Sequence, residues 1–410
     1  MKKTRIAFVT PLYLPARLSG SGTIIKYLAE ELNQRGFDCS VITSNAFNTR
    51  YWYDPIFGKK IDKKFEIINH VKVYRLQCLQ LKSFLALILV RYFRRVTPQS
   101  LMNKLQLFYC GPNLIGLEDV MAREKFDIVY SSPLPAHLNK VVALVAQHIT
   151  PRPKLILGAC FHDLFSDFHN PELEKFISLY DQIHVFTYEE KKNMIKAFRI
   201  PKDKFAVIPA FIKLQTEKRM SQIAKEITSF KKAYNLETKK IILFAGTKIT
   251  PKGIYFLMEV MRKLSIQDAS YILITIGNSN IPEWKKYINQ NKPTNLIDLG
   301  YVTQNQKEII FGVCDIYCMP SLCESFGLGY LEAWQMMKPV IGADMPITRE
   351  IIGKAMGGLL VKFGNQKQLM IAILKLTKNS KMGQNGYAAI KTTYNFGKLY
   401  PKYKQLFSIA

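Results

Sequence analysis

Short, continuous runs of β-branched and aliphatic residues recur along the whole chain, separated by longer amphipathic stretches. In the first half they read RIAFVT, CSVIT, VKVYRL, DIVYS, KLILG, IHVF and FAVIP; in the second, KIILFAG, YILITIG, LIDLG, DIYCMP, PVIGA and GLLVK. Runs that stay apolar rather than alternating belong to strands buried on both faces, the state of a parallel sheet covered by helices. Segments such as IIKYLAEELNQRG and YFLMEVMRKL carry the helical period between them. The pattern predicts α/β architecture in both halves, each an open, doubly wound parallel sheet. At 410 residues the chain exceeds one ordinary core and suits two. The expected boundary follows Pro209–Phe211, where polar, charged sequence precedes the next strand at Ile241. This gives domains of 1–211 and 212–390. The aromatic, basic tail 391–410 is expected to be partly helical and to pack back on the first domain. Two such domains facing one another leave a central cleft, a natural nucleotide site.

Formal net charge is +27, which implies attraction to a polyanion: nucleotide phosphates, an anionic membrane or nucleic acid. No acidic residue falls between Glu66 and Glu118, whereas Lys72, Arg75, Lys82, Arg91, Arg94, Arg95 and Lys104 do. The stretch 82–104 combines these heads with FLALILV and aromatic side chains. That composition suits a segment lying in an anionic membrane interface, and equally a core helix with a solvated basic flank. No apolar run approaches the ~20 residues that span a bilayer. The start, MKKTRIAFVTPLYLP, reads as a first buried strand rather than a signal peptide. Seven scattered cysteines point to reduced thiols in the cytosol, and Cys314, Cys318 and Cys323 lack a paired zinc spacing. Aromatic and basic residues are not interleaved on a nucleic-acid reading module, so no nucleic-acid partner is expected.

Four segments carry candidate chemistry. In PSLCESFGLGYLEAWQMMKPVIGA a strand ends at Pro320 and a helix begins near Gly327 to Gly329. Glu324 and Glu332 stand eight positions apart, close to two helical turns of ~7.2 residues. With an early helix start both carboxylates face one ligand, and the N–H groups of Phe326, Gly327 and Leu328 form a phosphate site beside them. In FAGTKITPKGIYFLMEVMRKL, Lys252-Gly253 opens a helix, where a lysine meets a diphosphate together with the helix dipole. In PLYLPARLSGSGTIIKYLAEELNQRG, Gly20 and Gly22 precede a helix near Thr23 and let the backbone approach a phosphate. It is neither a dinucleotide fingerprint nor a Walker loop. In LILGACFHDLFSD, His162-Asp163 follow a strand, at a sheet's carboxyl edge. His162, Asp163, Asp167 and His169 match no zinc spacing, and no metal is expected.

The Glu324–Glu332 segment, with PS before it and EA then PVI after it, resembles the E-x(7)-E signature of retaining glycosyltransferase family 4, the glycosyl transferases group 1. The segment Gly246–Gly253 is similar to that family's G-R-L-x-x-x-K-G, the Gly20/Gly22 loop to its glycine loop, and His162-Asp163 to its HD strand end. The resemblance covers most of the chain and implies a GT-B fold. It implies a retaining glycosyltransferase, a hexosyltransferase by kind, working without cofactor or metal. Glu324 then contacts the donor sugar and, with His162 near the transferred sugar, forms the catalytic pair. Glu332 contacts the ribose and Lys252 the phosphate. The donor-binding set is completed by Gly20, Gly22, Gly246, Ser325, Phe326, Gly327 and Leu328.

Three departures stand out. Thr247 replaces the usual arginine, with Lys248 beside it as a partial substitute that lacks a planar fork. Met337 stands where glycine is common, and Ala210-Phe211 where small polar residues are usual. The implied donor is a nucleotide diphosphate sugar of UDP or GDP type, and the acceptor a glycan or lipid-linked molecule of cell-surface polysaccharide or glycolipid synthesis. The expected place is cytoplasmic, peripheral on the inner face of the cell membrane through 82–104. The alternative is a catalytically impaired, transferase-like subunit that docks on a membrane or partner.

Overall fold

The computed structural model describes residues 3–54, 56–93, 95–378 and 381–409. The chain forms two compact units, Met1–Pro209 with Tyr400–Ala410, and Ala210–Leu399.

The first unit is built on an eight-stranded sheet. Its strands are β1 (Arg5–Thr10), β2 (Asp38–Ser44), β3 (Phe65–Ile68), β4 (Val71–Leu76), β5 (Ile128–Ser131), β6 (Lys154–Gly158), β7 (Gln182–Val185) and β8 (Phe205–Val207). The order is β3-β4-β2-β1-β5-β6-β7-β8, parallel except for the β3–β4 hairpin. Strands β1, β2, β5, β6 and β7 are buried almost throughout, which is why their sequences are continuously apolar. The edge strand β3 went unread in the sequence because Phe65 and Ile67 face out among lysines. Asn69 and His70, both at positive φ (48° and 67°), make its two-residue turn, the conformation that matches strand twist in a hairpin. The last residues close this unit. Tyr403 Oη donates to Pro209 O at 3.3 Å, and Phe407 packs on Phe8 and Tyr130 with centroids 5.9 Å away.

The basic block forms two helices, Gln80–Tyr92 and Gln99–Tyr109. Ser83, Ala86, Met102 and Leu107 turn inward. Leu81, Phe84, Leu85, Tyr92, Phe93, Val96 and Leu101 are exposed, as are Lys82, Arg91, Arg95 and Lys104. Arg94 lies outside the described residues. Among the described residues no helix is long and apolar enough to cross a membrane.

The second unit has six parallel strands: β9 (Lys240–Ala245), β10 (Tyr271–Ile276), β11 (Leu296–Asp298), β12 (Ile316–Met319), β13 (Val340–Ala343) and β14 (Gly358–Val361). Their order, β11-β10-β9-β12-β13-β14, reverses direction between β9 and β12. The crevice outside the carboxyl ends of two such strands is where open α/β sheets bind ligands. The charged stretch read as a connector contains a helix, Glu217–Ala233, capped by Thr216. Ile223 is its one buried residue, so little apolar period marks it. Fold and sequence agree on two α/β units with parallel sheets, the GT-B class.

Candidate active site

The turns after β9 and β12, on either side of the reversal, are stitched together. The Leu322 N–H donates to Pro251 O at 2.8 Å. Gly253, at φ +79°, lies so close to Pro320 that a Cβ would collide with its carbonyl. Glycine at 253 therefore serves both a left-handed turn and a backbone contact. The contact brings Lys252, at the end of a 3-10 turn Thr250–Lys252, onto the β12 turn. Its Nζ donates to Cys323 O and to Glu324 Oε1, both at 2.7 Å. The pair is mostly shielded, with 21% and 13% of the two side chains exposed.

The helix Leu328–Gln335 starts directly beyond, with Gly327 at φ +88° as its N-cap. No side chain caps this end and no acid lies in its first turn, so its positive pole is open to an anion. Phe326 packs beneath on Tyr394 (5.8 Å, edge-on), and Tyr330 Oη donates to Met319 O at 2.9 Å. Ser325 and Gly327 lie in the same turn, partly exposed. Gly246 follows β9, and its carbonyl touches Gly277 where any Cβ would collide.

The two glutamates do not share a helix face. The helix begins at Leu328, four residues after Glu324, which belongs to the turn. The eight-residue spacing instead puts the carboxylates in two separate ion pairs. Glu332, 8% exposed, meets Lys307 of the helix Gln304–Val313, Nζ to Oε1 2.6 Å. Lys307 escaped sequence reading because its partner is 25 positions away on another helix.

Lys248 does not stand in for the arginine missing at Thr247. Its side chain is wholly buried, with Nζ 3.4 Å from Asp298 Oδ1. Burial lowers its pKa from the ordinary lysine value, and Asp298 partly offsets this. Burial also opposes the charge on Asp298, but hydrogen bonds from Trp284, Ser279 and Thr275, with Lys248 nearby, hold that carboxyl below its ordinary range.

In the first unit, the helix Gly20–Gln34 begins at Gly20, earlier than read from sequence, with Ser19 as N-cap accepting from the Gly22 N–H at 3.3 Å. The space a Gly20 Cβ would enter is open, whereas at Gly22 it would touch Leu18 at 3.4 Å. His162 follows β6 through Cys160, which takes a left-handed φ of +50°. The imidazole lies edge-on to Phe168 at 5.4 Å. Asp163 and His169 pair with one another, 3.3 Å apart. Among the described residues no cluster of three metal-ligating side chains occurs.

Comparison with known proteins gives the family. The profile of Glycosyl transferases group 1 matches residues 226–391, and that of Glycosyltransferase Family 4 matches 18–216. The chain is a GT-B glycosyltransferase of the family 4 kind. An uncharacterized glycosyltransferase of Methanocaldococcus jannaschii is 24% identical over 368 residues, covering 87% of this chain and 85% of its own. The alpha-monoglucosyldiacylglycerol synthase of Acholeplasma laidlawii is 23% identical, covering 92% and 89%. The solved structure of Anabaena HepE in complex with UDP and glucose shares the fold at a TM-score of 0.72 and 14% identity, covering 99% of this chain and all of that one. The glycosyltransferase is thus an enzyme of the nucleotide-sugar-using kind.

Proposed function

We propose that this glycosyltransferase moves a hexosyl group from a UDP- or GDP-sugar to a glycan or lipid-linked acceptor, with retention at the anomeric carbon. One observation carries the reading: Lys252 and Glu324 meet at 2.7 Å, at the strand-order reversal and beside an uncapped helix end. The donor binds the second unit, with its diphosphate against Lys252 and the N–H groups of Phe326, Gly327 and Leu328. Gly246 and Ser325 line that approach. Glu324 holds the sugar hydroxyls and Glu332, steadied by Lys307, the ribose. The bond from the anomeric carbon to the phosphate oxygen breaks, and Lys252 with the helix amides stabilises the charge that gathers on the leaving oxygen. The acceptor hydroxyl bonds to the anomeric carbon on the face the diphosphate leaves, and its proton passes to the leaving oxygen. The first unit takes the acceptor, with Gly20 and Gly22 as its phosphate-approach glycines and His162 as its hydrogen-bonding group for the transferred sugar.

The relative named as a glucosyldiacylglycerol synthase supports a lipid acceptor. So does the exposed apolar and basic surface of Gln80–Tyr92 and Gln99–Tyr109, proposed as a reversible contact with the inner face of the cell membrane. Cosedimentation with phosphatidylglycerol vesicles at low salt, lost at high salt, is the expected result; none at low salt removes the membrane contact.

The testing experiment is a thermal-shift and calorimetric panel of UDP, GDP, ADP and their common sugars on the wild type and Glu332→Ala. Selective stabilisation by one nucleotide, weakened in Glu332→Ala, supports the donor site, and an inverted product anomer by NMR would refute retention. The burial of Lys248 beside Asp298 favours one second reading, an impaired subunit that docks on a membrane or partner. No response to any nucleotide selects it.

A further inference from the structure

We propose that Glu190 is a positioning residue that holds the turn carrying His162. The proposal rests on the reading that His162 acts beside the transferred sugar. Glu190 is the third residue of the helix Tyr188–Ala197 and is fully buried. The Thr187 hydroxyl caps this helix start, accepting from the Glu190 N–H at 3.0 Å. A buried carboxylate is costly unless its oxygens are hydrogen-bonded. Here Oε1 accepts from the Phe161 N–H at 2.7 Å and Oε2 from the Phe186 N–H at 2.6 Å. One side chain therefore ties the turn after β6 to the turn after β7.

The tie falls on a turn that needs one. The Ala159 N–H donates to His184 O at 3.0 Å, which carries the β6–β7 ladder one step past the strand. Cys160 then reverses into the left-handed region at φ +50°, a conformation that costs an L-residue about 1–2 kcal/mol. The next amide, that of Phe161, is the one Glu190 takes. The Phe161 ring is fixed edge-on between Phe168 (5.4 Å) and Phe198 (5.8 Å), and Phe168 also meets the His162 imidazole at 5.4 Å. His162 is thus aimed from a strained turn pinned at its backbone by Glu190 and at its ring by Phe168. Charge-assisted hydrogen bonds from N–H to carboxylate are the stronger kind, suited to holding such a turn.

The test is a double-mutant cycle of Glu190→Gln and His162→Ala. Glutamine keeps the size but replaces one acceptor oxygen with a donor, so one of the two ties is lost. Transfer kinetics are measured with the nucleotide sugar that stabilises the wild type, and imidazole NMR resonances and Phe161 amide exchange are followed in the same samples. We expect Glu190→Gln to lower kcat about tenfold with donor KM within twofold, to speed Phe161 exchange at least tenfold, and to shift the His162 resonance. In the His162→Ala background the same change should alter kcat less than twofold. An equal tenfold loss in that background overturns the proposal, since Glu190 would then act through the general fold. If His162→Ala keeps full kcat, the catalytic reading of His162 falls, and the NMR signals alone decide the positioning claim. Unmoved resonance and exchange refute it. Should Glu190→Gln not fold, Glu190→Asp enters the cycle, keeping the charge and shortening its reach by one methylene.

Discussion

Lys252 and Glu324 are mutual partners, so the lysine is oriented by Glu324 Oε1 and Cys323 O. Removing one preorganised donor to an oxygen on which charge develops typically costs about 10²–10³ in kcat. Lys252→Ala should therefore lower kcat by about 100-fold in a steady-state transfer assay, with Lys252→Arg recovering part of it. Loss confined to KM would assign Lys252 to ground-state binding instead. The pair Lys248–Asp298 calls for a different experiment. Asp298 gathers hydrogen bonds from Thr275, Ser279 and Trp284, at 2.8 to 2.9 Å, while among the described residues Lys248 Nζ makes the ion pair alone. Removing one member strands a buried charge, at a typical cost of ~3–5 kcal/mol, whereas replacing both with uncharged groups of similar size is often neutral. Asp298→Asn should thus destabilise the second unit in urea titrations, and Lys248→Met placed on top should recover most of the loss. An additive loss would mean that the ion pair is not what the two residues contribute.

At the scale of elements, the helix Leu328–Gln335 shows why a glycine is common at 337. The Lys338 N–H donates to Ala333 O at 2.9 Å and the Met337 N–H to Trp334 O at 2.8 Å, a Schellman closure. Its pivot, Met337, has φ +53°. Glycine enters that region without the Cβ clash, so Met337→Gly should stabilise the second unit by about 0.5–1 kcal/mol, roughly 2 °C in calorimetry. No gain would mean that the half-exposed methionine packs well enough to offset its backbone strain. Such details mark the limit of what sequence displayed. The central strands were legible because burial on both faces makes them apolar at every position. Strand β3 and the helix Glu217–Ala233 were not, since each hides only part of one face. Glu324, Lys252 and Glu332 stood out by residue type and neighbourhood. Their pairing did not: the expectation of one helix face for both glutamates failed because Gly327 delays the helix until Leu328. Lys307 carries no local signal, its contact being set by packing across 25 positions; Glu190 reads locally as the acid of a Thr-x-x-Glu helix start, and its tie to Phe161 spans 29.

At the scale of the whole molecule, all six histidines lie between His70 and His184, in the first unit. Two of them are buried. His184 accepts from Tyr130 Oη at 2.9 Å and donates through Nε2 to Ile208 O at 2.8 Å, a neutral imidazole with both nitrogens used. Burial pulls its pKa down to about 4, with the Ile208 bond acting weakly the other way. Burial likewise pulls His137 down to about 4, helped by the Lys140 charge. An unfolded histidine titrates near ~6.5, so as pH falls the unfolded chain takes up these protons first. The stability from the two neutral rings is complete above pH ~6.5, is lost between ~6.5 and ~4, and changes no further below. By pH ~5.5 the first unit should have lost roughly 2–3 kcal/mol, a histidine-linked loss with no counterpart in the second unit. Tryptophan placement lets the two be followed separately: Trp52 lies in the first unit, Trp284 and Trp334 in the second. In urea titrations of Trp52→Phe, fluorescence reports the second unit alone, and its midpoint should hold steady from pH 7.5 to 5.5. Circular dichroism of the same samples should resolve an earlier transition that moves to lower urea as pH falls. His184→Gln should flatten that drift by about half, since one of the two titrating rings is gone. A second-unit midpoint that moved in step with the first would mean that the two units unfold as one cooperative body.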